Sequence, residues 1–162
     1  MIKKHKRSVY FLMCCCVVLV WCTSGESNEN DILDIVPIWS QACFDDRCYS
    51  IEIADTVEDR QRGLMWREEL ARDAWMLFVF PSSAPWRTFW MKNTYISLDM
   101  IRLDSSYTIV YQETNVPPCT TPSCPSYGPT NEISQYVLEL NAWEIEALGS
   151  EVGDTISIHI EE

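Results

Sequence analysis

The sequence predicts a β-rich α+β domain, a mostly antiparallel, curved or barrel-like sheet carrying two short helices. Three observations point there. CYSIEIA alternates apolar and polar residues, so Tyr49, Ile51 and Ile53 share one face of a strand. WMLFVF is an unbroken apolar run of strand length, as expected of a strand buried on both faces. Only two stretches, TVEDRQRGLM and NAWEIEALG, carry helix signals.

The elements follow in order. In the first helix Thr56 is the N-cap, and Glu58 and Asp59 sit at the positive end of the dipole. Gly63 ends it or keeps it short. LDMIRLD and TIVYQETNV read as a hairpin turning near Asp104, Ser105 and Ser106. QYVLEL and DTISIHI complete the strands. Between them Asn141 caps the second helix, with Glu144 completing a capping box. Ala142, Ile145 and Leu148 form its buried stripe, and Gly149 stops it.

Residues 1–22 read as a signal peptide or membrane anchor, 23–36 as a linker and 37–162 as one domain. MIKKHKR is a basic start, and SVYFLMCCCVVLVW is an apolar run too short for a bilayer span of about 20 residues. A cysteine then precedes the polar TSGESNENDILD, which fits a bacterial lipoprotein signal with Cys22 as the acylated residue. Trp21 stands where such a signal has a small residue, which keeps an uncleaved anchor open. Either way the positive end stays inside and the domain is exported to the cell envelope, tied to a membrane only through its N-terminus.

Charge narrows the partners. The whole chain carries a net charge of −12, but Lys3, Lys4, Lys6 and Arg7 all lie in the leader. The remainder has eight basic against 24 acidic residues, a net of −16. Such a surface repels phosphate backbones, which argues against nucleic acid. His159 is the only histidine beyond the leader, which leaves almost no material for a Ser-His-Asp triad or a histidine metal site.

Export makes Cys43, Cys48, Cys119 and Cys124 disulfide cysteines. Three pairings are possible, and the local pairs are favoured because FDDR and TTPS read as turns that bring their flanks together. The rival is a four-thiolate zinc site. No cofactor is expected. Met65, Met76, Met91 and Met100 read as gap-filling core residues rather than copper ligands.

The segments EIADTVEDRQRGLMWREEL, MLFVF, FWMKNTYISLDMI, NVPPCTTPSCPSYGP and YVLELNAWEIEALGSEVGDTISI occur in an order and spacing that resemble the domain of unknown function 192 family. The resemblance covers roughly residues 49–160. It implies a small β-rich domain, often exported or membrane-anchored, with no established activity. Ser97 departs from the family's usual proline, and Trp66 and Trp75 also depart; none is a charged motif position.

The stretch FWMKNTYISLD sets charged and polar side chains among bulky apolar ones, where a charge is costly unless paired. Asp99 shares a face with Ile101 and Leu103 and needs a cation or several donors; Lys92, Arg60, Arg62 and Arg67 are the candidates. One reading is a polar network that serves the fold. The other is a shallow pocket formed by Arg62, Trp90, Lys92, Asn93, Thr94 and Asp99, which takes an anionic or polyhydroxy ligand or an envelope protein. No catalytic residue is assigned. The alternative is a hydrolase acting on an envelope carbohydrate, with Asp99 paired to Glu113 or Glu139.

Overall fold

The computed structural model describes residues 40–161 apart from 86 and 130. The leader, the linker, Cys22 and Trp86 lie outside the described residues. The elements in chain order are β1 (Gln41–Phe44), β2 (Arg47–Ala54), α1 (Val57–Arg62), β3 (Ala74–Ala84), β4 (Phe89–Trp90), β5 (Leu98–Leu103), β6 (Ile109–Val116), β7 (Ser126–Tyr127), β8 (Ser134–Asn141), α2 (Glu144–Leu148) and β9 (Ser157–His159).

Seven strands form one sheet in the order β6-β5-β8-β3-β2-β1-β9, and β4 and β7 form a separate two-stranded ribbon. Within the sheet only β2 and β3 run parallel, because the chain crosses over between them through α1. The fold is therefore α+β with a mixed, open sheet, antiparallel at every other pairing. The sheet comes near to closing. Backbone bonds from Gly153, Ile156 and Ile109 lay the segment before β9 against the start of β6.

Both faces of the central strands are covered. On one face Trp75, Leu77, Ile101, Leu103, Leu138 and Leu140 pack with Ile145 and Leu148 of α2. On the other, Met76, Phe78, Met100 and Val137 pack with Leu64, Leu70 and Met91 from the loops after α1 and β4. This double coverage is why WMLFVF shows no alternation. The hairpin turn forms where the sequence places it, with Asp104 Oδ1 accepting from the amides of Ser106 and Thr108.

Thr56 caps α1 as expected, accepting from the Asp59 amide. The capping of α2 differs from the sequence reading. Its N-cap is Trp143, in the left-handed region, with no side-chain bond. Asn141 ends β8 instead, and its Nδ2 donates to the carbonyls of Leu70 and Ala71. The free amide at the helix start is taken by Asp99, whose Oδ2 accepts from Ile145 N at 2.9 Å. A carboxylate from a neighbouring strand has replaced the local cap.

The cysteines form two local disulfides, Cys43–Cys48 across the β1–β2 turn and Cys119–Cys124. This excludes the four-thiolate zinc reading. Among the described residues no three His, Cys, Asp or Glu side chains converge as metal ligands.

Candidate functional site

A cleft of about 180 Å³ opens on the β4 side of the sheet. One wall is the end of α1 and the turn after it, with Arg60, Arg62, Leu64 and Met65. The other comes from Thr88, Phe89, Trp90 and Thr94. Phe78 of β3 and Glu139 of β8 form the floor. Gly63 makes the first wall possible. Its φ is +45°, and a Cβ there would sit 3.0 Å from the Phe78 ring.

The second wall is fixed by backbone bonds. Asn93 adopts a left-handed conformation, which its short polar side chain tolerates. Its carbonyl accepts from Trp66 N and its amide donates to the Cys119 carbonyl, while Cys119 N donates to the Thr94 carbonyl. The turn at 92–94 thus ties the α1 loop to the disulfide loop. Lys92 lies beside the cleft with Nζ 5.1 Å from the Trp90 ring centre, a cation–π contact.

Of the expected site residues, Arg62, Trp90 and Thr94 line the cleft, while Lys92 and Asn93 brace its edge. Asp99 does not belong to it. Asp99 lies opposite Leu140 and is fully buried on the α2 side, and its Oδ1 accepts from Asn115 N at 2.7 Å. Both its oxygens are held by backbone amides, so it needs no cation and does not meet Lys92. Glu113 and Glu139 both lie opposite Met100, on the other face. The expected pairing of Asp99 with Glu113 or Glu139 as acid and base is therefore corrected: the sheet stands between them. Glu113 is also engaged, accepting from the Tyr111 hydroxyl at 2.6 Å.

The sequence reading missed Arg102. This residue is fully buried beneath the β4–β7 ribbon, with its guanidinium 4.4 Å from the Phe89 ring centre. Nη2 donates to the Tyr127 carbonyl, whereas Nε and Nη1 find no partner among the described residues. Gly128 permits this closure: with φ at +128°, a Cβ there would meet Arg102 Nη2 at 2.7 Å. Burial pushes the Arg102 guanidinium down to about 10, against the pull of Glu139.

Glu139 is the second buried charge-bearing group on this face. Burial pushes its carboxyl up to about 8, opposed by Arg102, and no hydrogen bond from a described residue offsets it. At neutral pH it is mostly protonated, able both to donate and to accept.

The rim is cationic. Arg60 and Arg87 both lie against Phe80, at 5.3 and 3.8 Å from the ring centre. Their guanidinium groups bond carbonyls, those of Val79 and Asp55 for Arg60 and those of Ser134 and Ser82 for Arg87. Arg62 pairs with Asp59 on the surface, and Arg67 pairs with Glu52. Among the described residues Arg60, Arg87, Lys92 and Arg102 have no carboxylate within ion-pair distance.

An open mixed sheet with a two-stranded ribbon over one face defines a small α+β domain class. The chain belongs to the DUF192 family, described as Uncharacterized ACR, whose model matches residues 41–158. A solved Sinorhizobium meliloti 1021 protein, described as a "putative transcription regulator", is 33% identical with a TM-score of 0.63. The match covers 74% of this chain and 91% of that one. A protein of unknown function from Novosphingobium aromaticivorans DSM 12444 is 27% identical, with a TM-score of 0.59, covering 73% and 82%. No curated protein matches.

Proposed function

We propose that the chain is an exported, N-terminally anchored, non-catalytic domain whose cleft binds a small ligand bearing an anionic group. The observation that carries this reading is the cation cluster. Beyond the leader the chain has only eight basic residues against 24 acidic ones. Five of the eight lie at or beside one cleft: Arg60 and Arg62 line it, and Arg87, Lys92 and Arg102 lie against its aromatic residues Phe80, Trp90 and Phe89. An acidic protein that gathers most of its few cations in one place is suited to an incoming anion. The leader and the two disulfides support an oxidising address. An envelope protein is the second reading, and the exposed Trp66, Trp90 and Tyr95 favour it.

Calorimetric titration of the purified protein with acetate, citrate and phosphate tests the first reading. At least one anion binds, and Arg60→Gln weakens it about 10-fold, the effect of one lost charge-assisted contact. If none of these anions, nor any carboxylated sugar, binds at millimolar concentration, the reading is wrong.

A further inference from the structure

We infer that the cleft recognises a single hexuronic acid residue, its carboxylate held at Arg60 and Arg62 and its hydroxyls at Glu139 and Thr94. This rests on the ligand-binding reading above and adds the class of ligand.

Size is the first ground. A cavity of about 180 Å³ matches about six water volumes of about 30 Å³ each. That is room for one substituted six-membered ring. The walls are the second. Phe78, Phe80, Phe89 and Trp90 present aromatic surface, and Trp90 is 52% exposed at the mouth. The C–H faces of a sugar ring pack well on such surface.

The floor is the third ground and the most selective. Glu139 is buried on the sheet and lines the cleft, yet it accepts no hydrogen bond from a described residue. A carboxyl group that faces a cleft with no partner from the chain is free to bond a group on the ligand. Protonated Glu139 donates and accepts, as a sugar hydroxyl does. Acetate satisfies the rim and leaves the floor unmet. Glucose satisfies the floor and brings no charge to the rim cations. An aryl carboxylate meets the walls and the rim but offers Glu139 nothing.

The surrounding charges are consistent with an anion lying over a neutral carboxyl. From β5, Arg102 is the cation nearest in effect on Glu139. From β6, Tyr111 and Glu113 are bonded to each other. From β3 the neighbours are Met76 and Phe78, and Arg60 and Arg62 of α1 line the same cleft. Above about pH 8 Glu139 ionises and repels the ligand carboxylate.

The test is calorimetric titration of the full chain in detergent, disulfides intact, with D-glucuronate, D-galacturonate, glucose, acetate and benzoate. At least one uronate binds 10-fold or more tightly than the other three, and its affinity falls above pH 8. Glu139→Gln keeps a donor and an acceptor, so it retains affinity within about 3-fold and loses the pH dependence. Glu139→Met lowers uronate affinity at least 10-fold and leaves acetate unchanged. Should Glu139→Met not fold, the pH profiles of the native chain and Glu139→Gln decide alone. If acetate or benzoate binds as well as the uronates, the sugar assignment fails while the anion-binding reading stands. If the uronate profile is flat through pH 9, or unchanged by Glu139→Gln, the role of Glu139 is overturned. If nothing binds, both readings fall.

Discussion

Asp99 and Glu139 are buried carboxyl groups on adjacent strands, β5 and β8, in adjoining register positions on opposite faces of one sheet. Asp99 receives two backbone amides, from Asn115 and Ile145, and so joins β6 and α2 to β5. Glu139 receives none from the described residues, and burial pushes its carboxyl up to about 8. The two faces handle a costly group in opposite ways. On the α2 side a carboxylate completes the hydrogen bonding of the fold. On the cleft side Arg102 Nε and Nη1 have no partner among the described residues, and the Glu139 carboxyl faces the cleft with no bond from them. A buried cation and a carboxyl of shifted titration beside a cleft make that face the one suited to a ligand.

Asp99→Ala carries the largest expected loss of stability. It removes two charge-assisted bonds and leaves two amides unsatisfied, a loss of about 3–4 kcal/mol. Asp99→Asn keeps one acceptor and costs about half as much. Urea unfolding monitored by tryptophan fluorescence gives both values. A loss below about 1 kcal/mol for Asp99→Ala would mean that the anchor is redundant and the contrast between faces is false.

The sequence made one face far more legible than the other. Alternation in LDMIRLD places Asp99 with Ile101 and Leu103, and its need for several donors is met as backbone amides. The same alternation places Arg102 with Leu98 and Met100, but a strand buried on both faces does not reveal which side carries the site. The cap of α2 was misread because its acceptor lies 46 residues away from Ile145, beyond any local pattern. Arg62 on one wall and Trp90 and Thr94 on the other line the cleft, because two local segments, RQRGLM and FWMKNT, fold as its two sides. Glu139 read equally well as solvent-facing, since QYVLEL does not show that loops cover both faces of β8.

Glu139→Gln sharpens the comparison through pH. In the native chain the folded state holds this proton up to about pH 8, whereas the unfolded chain releases it near 4.5. Between those values the unfolded state binds fewer protons, so the contribution of Glu139 to stability falls as pH rises. The variant lacks this loss. The two proteins should match near pH 4 and separate by on the order of 4 kcal/mol at pH 8, with Glu139→Gln the more stable. Parallel stability curves across that range would show that Glu139 is ionised and paired after all.

The disulfides give the smallest and most local contrast. Each closes a loop with a sequence separation of 5, for which chain entropy gives about 2 kcal/mol. Cys43–Cys48 should deliver about that much when both cysteines become alanine, because the FDDR loop it closes has no proline to restrict the unfolded chain. Cys119–Cys124 should deliver less, about 1 kcal/mol, because Pro117, Pro118, Pro122 and Pro125 already restrict the unfolded chain. Its larger effect should fall on the cleft, since Cys119 is bonded to the backbone of Asn93 and Thr94. The Cys119→Ala/Cys124→Ala double variant should therefore weaken ligand binding several-fold more than the Cys43→Ala/Cys48→Ala variant does, although it destabilises the domain less. The reverse order in binding would detach the disulfide loop from the site and leave the cleft to the α1 turn and the sheet alone.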